Sequence, residues 1–288
     1  MTGIIDIGSN SVRLALLADG KTLYKRLKTT RLGEGLSITG KLSSAAIERT
    51  AKAVADFKAE AESDGAEMVY AFATAAVRSS SNGGEFTAYV KNHYGIEVEV
   101  ISGEIEAKLA LLGALGKGDG GIIDLGGASC EVTVQKSDST VFAKSVDIGA
   151  VRLLDTCGRD RDKLEKYISE KLKAYGHFDA SKYAMYGVSG TATSLAAAKH
   201  RLKEYDPAIV HGTVLTVEDV GAFADTFLKL SVEEIKNLGY VSVWRADVIG
   251  GASLFLFRLM QYMNIQEITV SENDNLEGYY IYKLGGGA

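Results

Sequence analysis

Cysteine, proline and histidine are scarce in this chain of 288 residues: two Cys, one Pro and four His. Cys130 and Cys157 offer neither a disulfide framework nor a metal-ligating spacing, and the histidines form no HxxxH pair. No run of about 18 apolar residues exists, so nothing is expected to span a bilayer. The N-terminus lacks a basic segment followed by a long apolar one. No signal peptide is therefore expected, and a reducing cytoplasm is the simplest compartment. A basic excess is missing too. The balance of 32 Lys and Arg against 37 Asp and Glu leaves a net charge of −5, so no global positive field draws in nucleic acid or membrane. A polyanionic ligand would need a local basic patch. The lone proline, Pro207, carries no functional reading.

What is present fits a globular protein: 46% hydrophobic and 24% charged residues. The length exceeds what one hydrophobic core usually spans, so two domains are expected, 1–117 and 118–288. The final helix of the second is able to pack back on the first. Residues 4–8, 12–18 and 22–33 read as three strands. A helix (43–65, with Ser43 or Ser44 as N-cap and Gly65 as stop), a strand (68–74), a helix (84–93), a strand (96–102) and a helix (103–116) follow. After the Gly-rich linker GKGDGG (116–121) the order returns. Three strands precede a helix at 159–176, a strand at 183–190 and a helix at 191–202. An insertion (203–245) carries helices at 217–228 and 231–237. A buried helix (245–264), a strand from Gln266 and a helix (275–284) complete the chain. Each half reads βββαβαβα, with an antiparallel meander leading into parallel pairing. The expected fold is α/β, with two such domains facing each other across a cleft.

The halves share more than element order. Residues 3–17 read GIIDIGSNSVRLALL and residues 121–135 read GIIDLGGASCEVTVQ. In each, a carboxylate ends a buried strand, a glycine permits a tight turn with φ > 0, and small residues leave backbone N–H groups unobstructed. These are Ser9, Asn10 and Ser11 in the first copy, and Gly126, Gly127 and Ser129 in the second. Successive N–H groups of this kind form a concave anion site. A single copy is most simply a plain glycine-containing hairpin; the duplicated spacing favours a pair of phosphate-binding turns.

The double pattern resembles that of the actin, hexokinase and heat-shock chaperone ATPase superfamily. Within it the chain resembles the exopolyphosphatase / guanosine pentaphosphate phosphohydrolase family. The matching segments run in order through the chain: IIDIGSNSVRLAL, RLGEGL (31–36), TAAVR (74–78), VISGEIEAKL (100–109), IIDLGGASCEV, GVSGTATSLAA (187–197), HGTVLT (211–216), WRADVIGGA (244–252) and ITVSENDNLEG (268–278). The likeness is to the family's short, two-domain form, since longer members carry a further helical domain. It implies two ribonuclease H-like (actin-like ATPase) domains and Mg²⁺-dependent release of orthophosphate from inorganic polyphosphate. Hydrolysis of guanosine pentaphosphate is the alternative. Two readings from other classes are an ATP-dependent small-molecule kinase and a non-catalytic binder of polyphosphate or alarmone. A homodimer is a family-level expectation only.

Phosphoanhydride hydrolysis needs a placed water, a charge-absorbing cation and donors around the phosphoryl group. The family's catalytic glutamate falls on Glu106, in the first turn after VEVIS; by itself this residue reads equally as a helix N-terminal acid. Ile105 stands where many relatives have a second acid, and Glu104 is the less suitable stand-in. Asp124 and Glu131 flank the second turn and approach across it, a hard-oxygen pair suited to Mg²⁺. Asp6 mirrors Asp124, either reaching the metal through water or stabilising its turn. Arg13 mirrors Glu131, either binding phosphate directly or lying on the strand surface. Arg78 and Arg31 supply cations able to grip phosphate, while Lys25, Arg26 and Lys28 make a basic run able to steer a polyanion. Ser189, Gly190 and Thr191 open a helix whose N–H groups favour an anion, unless they are an ordinary cap. Ala128 replaces a third glycine, and Cys130 reads as a buried small residue rather than a nucleophile.

Overall fold

The computed structural model describes residues 1–285 apart from Lys117, Ala128 and Asp138, and for Ser37 the backbone alone. The expectation concerning Ala128 therefore lies outside the described residues. The chain divides into two compact units. One joins Met1–Gly113 to the segment from Asn275 onward; the other is Ala114–Asp274.

In the first unit, β1 (Thr2–Ile7), β2 (Ser11–Ala18) and β3 (Lys21–Thr29) form the antiparallel meander. Then come α1 (Leu36–Thr39), α2 (Ser44–Ser63), β4 (Met68–Ala73), α3 (Ala75–Ser79), α4 (Gly83–Tyr94), β5 (Val98–Val100) and α5 (Gly103–Leu115). The sheet order is β3-β2-β1-β4-β5, with β4 and β5 added in parallel. β1 is the middle strand, and its continuous apolar run is buried on both faces. On α2 the Ser43 hydroxyl accepts the Ala46 N–H at 3.2 Å, and Gly65, at φ 93°, ends the helix in the left-handed region that suits glycine. Ile47, Ala51, Val54, Phe57 and Ala61 recur at helical spacing on its buried face.

Edge strand β3 corrects the reading of the basic run. Arg26 pairs with Glu60 at 2.8 Å and Lys28 with Asp56 at 3.1 Å, both acids of α2. Lys25 meets the buried Glu277 at 2.9 Å. Each of the three cations therefore has an acidic partner within the unit.

The second unit holds β6 (Gly120–Leu125), β7 (Cys130–Lys136), β8 (Ser139–Val146), α6 (Ala150–Cys157), α7 (Arg161–Leu172), β9 (Met185–Val188) and α8 (Ser189–His200). After them come α9 (Pro207–Val210), β10 (Val214–Thr216), α10 (Val217–Lys229), α11 (Val232–Leu238), α12 (Ile249–Tyr262) and β11 (Glu267–Val270). The sheet order is β10-β11-β9-β6-β7-β8. The five-strand plan of the first unit thus recurs as β8-β7-β6-β9-β11, with β10 paired antiparallel at one edge. The sequence does not announce α6 or β10. Strand β8 stops at Val146. Two turns of helix then bury Ala150, Leu153 and Cys157, too few residues for a period to stand out. No helix among the described residues is long and apolar enough to cross a membrane.

The last helix, α13 (Asn275–Leu284), belongs to the first unit although it follows the second in sequence. The division accordingly falls after Gly113 and again before Asn275, rather than once at 117/118. Leu276 and Tyr279 complete an apolar cluster with Ile4, Ala15, Leu17, Phe72, Ile101 and Leu109. Tyr279 stacks on Phe72 with centroids 4.5 Å apart and donates to Glu99 at 2.7 Å. Thr22 donates to Glu277 at 2.7 Å. Helices α13 and α5 cross so closely that a Cβ on Gly278 would lie 1.8 Å from the Leu109 carbonyl oxygen. Because that neighbour is backbone, Gly278→Ala must displace the helix. A loss of about 3 kcal/mol is expected, read as a lowered denaturation midpoint. Gly84→Ala on α4, where the added methyl meets open space, should be neutral or stabilising by up to about 1 kcal/mol.

Candidate active site

Both hairpin turns are closed by the same hydrogen bond. The Gly8 N–H donates to the Ser11 carbonyl at 3.0 Å, and the Gly126 N–H donates to the Ser129 carbonyl at 3.0 Å. In both turns the carbonyls are taken up from behind. Ser9 O accepts the Gly33 N–H (2.8 Å), and Asn10 O accepts those of Thr30 (3.0 Å) and Arg31 (2.8 Å). In the second unit the N-terminus of α6 does this work: Ala150 donates to Gly126 O and Val151 to Gly127 O, each at 2.9 Å. No acceptor among the described residues takes the exposed N–H groups of Ser9, Asn10 or Gly127. These N–H groups are left open, but not by the expected route. Gly8, Gly126 and Gly127 do not have positive φ. The residue that does is Arg31, at φ 50°, where the chain bends to lay its N–H on Asn10.

The strand pairs behind the turns differ in charge. Asp6 lies opposite Arg13 in the β1–β2 ladder, and the two form an ion pair, with Arg13 Nε donating to Asp6 Oδ2 at 3.2 Å. Asp124 lies opposite Glu131 in the β6–β7 ladder. Two carboxylates thus stand where the first unit has a carboxylate and a guanidinium. Ser145 donates to one oxygen of Glu131. Among the described residues no group of three or more His, Cys, Asp or Glu side chains could hold a metal. The donor set fits an ion that keeps most of its waters and needs one or two carboxylates, as Mg²⁺ does.

Glu106 is half-buried on the first turn of α5, where its N–H donates to Ser102 O at 2.9 Å. Arg78, on α3, reaches across with one nitrogen, donating to Ile101 O at 2.8 Å and to Glu106 Oε2 at 3.0 Å. Arg78 and Glu106 are thus brought together, the cation fixing the carboxylate. Ile105 packs against the apolar cluster that α13 completes, which accounts for an apolar side chain at that position. Glu104 is exposed.

In the second unit β9 runs parallel to β6, with Val188 beside Asp124, so the start of α8 abuts the Gly126 turn. Ser189, first residue of α8, has φ 71°, a costly conformation for a residue other than glycine. Its hydroxyl donates to Leu125 O at 2.9 Å, tying the helix start to the turn. Thr191 is 1% exposed, and its hydroxyl has no hydrogen-bond partner among the described residues.

Arg245 was not singled out by sequence reasoning, although it sits in the WRADVIGGA segment. Its guanidinium lies directly against Gly190; a Cβ there would come 1.7 Å from Nη2. Partial burial lowers its pKa, offset in part by the nearby Tyr205 phenol. Burial also pushes the Cys130 thiol well up, with Glu131 and Asp124 adding to the effect, which removes it as a nucleophile. Gly250 and Gly251 lie inside α12 and pack against Leu228 and Leu164, so they serve helix packing. A cavity of about 660 Å³ opens between α10 and α12, lined by Val217, Glu218, Asp225, Phe257 and Gln261 among others. None of the candidate residues lines it, and its carboxylates do not suit an anion.

The Ppx/GppA phosphatase family model matches residues 15–284. Exopolyphosphatase 2 of Mycobacterium tuberculosis is 30% identical over 312 residues, covering 98% of each chain. A bifunctional 3-dehydroquinate synthase/phosphatase of Fusobacterium nucleatum is 30% identical over 302 residues. That match takes in 95% of this chain but only 45% of the longer protein's length. The crystal structure of the Aquifex aeolicus Ppx/GppA family member superposes with a TM-score of 0.85 at 31% identity, covering 98% of this chain and 97% of that one. Matched along nearly its whole length in sequence and in fold, the chain belongs to the Ppx/GppA phosphatase family and has its two-domain, actin-like ATPase architecture.

Proposed function

We propose that this protein is a Mg²⁺-dependent phosphoanhydride hydrolase of the exopolyphosphatase type, releasing terminal orthophosphate from inorganic polyphosphate. The observation that carries the reading is Glu106, a half-buried carboxylate held by Arg78 in the segment where the family's catalytic glutamate is expected. Glu106 accepts a proton from water as the water oxygen bonds to the terminal phosphorus. The bond from that phosphorus to the bridging oxygen breaks, and the electron pair stays on the shortened chain. Arg78 is a positioning residue for Glu106. The open N–H groups of Ser9, Asn10 and Gly127, with Ser11, Ser129, Ser189, Gly190 and Thr191, serve as phosphate donors, and Arg31 and Arg245 as cations. Asp124 and Glu131 would hold Mg²⁺, which when bound would offset charge developing on the phosphate oxygens. Asp6 is engaged by Arg13 and needs no metal to balance it.

Phosphate release from long polyphosphate should require Mg²⁺ and no acceptor other than water; consumption of ATP only with an added acceptor would mark a kinase instead. Glu106→Gln is expected to lower kcat about 10²–10⁴-fold with binding kept, and normal turnover would remove Glu106 from the mechanism. Asp124→Ala and Glu131→Ala should each raise the Mg²⁺ concentration for half-maximal rate by at least about tenfold; an unchanged titration would make both side chains structural. In Gly190→Ala the new methyl meets the flexible end of Arg245. The melting temperature should hold while KM for polyphosphate rises.

A further inference from the structure

One row of side chains in the second unit extends past the two carboxylates. Glu131 on β7 lies directly opposite Asp124 on β6 and directly opposite Ser145 on β8, so the three share one face of the sheet. The Ser145 hydroxyl donates to Oε1 of Glu131. The other Glu131 oxygen has neither a hydrogen bond nor an ion pair among the described residues. The first unit supplies a comparison within the same chain. There the corresponding row is Asp6, Arg13 and Leu27, each the same number of residues ahead of its counterpart. Leu27 is 63% exposed and has nothing to donate. A hydroxyl therefore stands third in the row only where the second position is a carboxylate. Ser145 lies on the edge strand of its sheet and is exposed, so packing does not call for a serine there.

A carboxylate can meet a cation through one oxygen or through both. Ca²⁺ takes about six to eight oxygen ligands in flexible geometry, often with a carboxylate bound through both oxygens. Mg²⁺ demands a near-ideal octahedron and keeps several waters, so a carboxylate serves it best through one oxygen. The hydrogen bond from Ser145 occupies Oε1 and fixes the plane of the carboxylate, which leaves Glu131 to offer Oε2 alone. Partners of this kind orient a ligand and tune its affinity without touching the ion. We propose that Ser145 is a positioning residue for Glu131, holding it as a one-oxygen ligand so that the site selects Mg²⁺ over Ca²⁺. The inference rests on the reading of Asp124 and Glu131 as Mg²⁺ ligands given above.

Ion binding can be read without turnover from the electron paramagnetic resonance signal of free Mn²⁺, which is lost on uptake by the protein and recovered on displacement by Mg²⁺ or Ca²⁺. Unaltered protein should release Mn²⁺ to Mg²⁺ more readily than to Ca²⁺. Ser145→Ala should weaken Mg²⁺ about tenfold and Ca²⁺ less, so that the preference narrows. Ser145→Thr keeps the hydroxyl and suits a strand, and should retain the unaltered preference. A preference for Mg²⁺ that is unchanged in Ser145→Ala, or a loss shared equally by both ions, overturns the proposal while leaving Glu131 a ligand. A lowered melting temperature of ion-free Ser145→Ala with the preference intact would make the serine structural only. Glu131→Ala tests the reading beneath: Mn²⁺ uptake indifferent to that substitution removes the metal site and the positioning role together.

Discussion

Backbone polarity at two hairpin turns is the constraint on which the candidate site depends. A turn that ends a buried strand must dispose of its carbonyls, because an unpaired polar group away from water is costly. Here a neighbouring segment takes those carbonyls from behind, the 30–33 bend in one unit and the start of α6 in the other. The N–H groups of Ser9, Asn10 and Gly127 are then left without an acceptor among the described residues, which makes the surface of each turn locally electropositive without a lysine. An acidic protein can present such a surface to a highly charged anion, because the attraction is local and owes nothing to net charge.

The two units use one backbone plan and vary the chemistry through the side chains paired across it. In the first, opposed positions hold a carboxylate and a guanidinium, which neutralise each other. In the second, the same positions hold two carboxylates. Similar economy is seen at α5, where Ile105 points the helix into the apolar cluster while the next residue offers its carboxylate to Arg78.

Features carried by short-range pattern were legible in the sequence. The twin turns could be read because each lies within about fifteen consecutive residues, and the strand and helix order could be read because burial imposes a period. The arginine on Gly190 could not, since 55 positions separate the partners in the chain and nothing local marks a guanidinium as facing inward. The expectation of positive φ at the turn glycines failed for a related reason. Glycine suggests unusual dihedrals, whereas the left-handed residues at these sites are Arg31 and Ser189, each held there by its surroundings. The basic run on β3 looked available because its partners, Glu60, Asp56 and Glu277, come from distant segments.

The return of α13 to the first unit makes that unit discontinuous, with the whole of the second inserted between its parts. On a ribosome, the five strands of the first sheet emerge early, yet the apolar surface around Ile4, Phe72 and Leu109 stays uncovered until Leu276 and Tyr279 arrive. The intervening unit, contiguous from Ala114 to Asp274, has every residue it needs before then. The order of synthesis therefore runs opposite to the order of completion: the part begun first is the part sealed last.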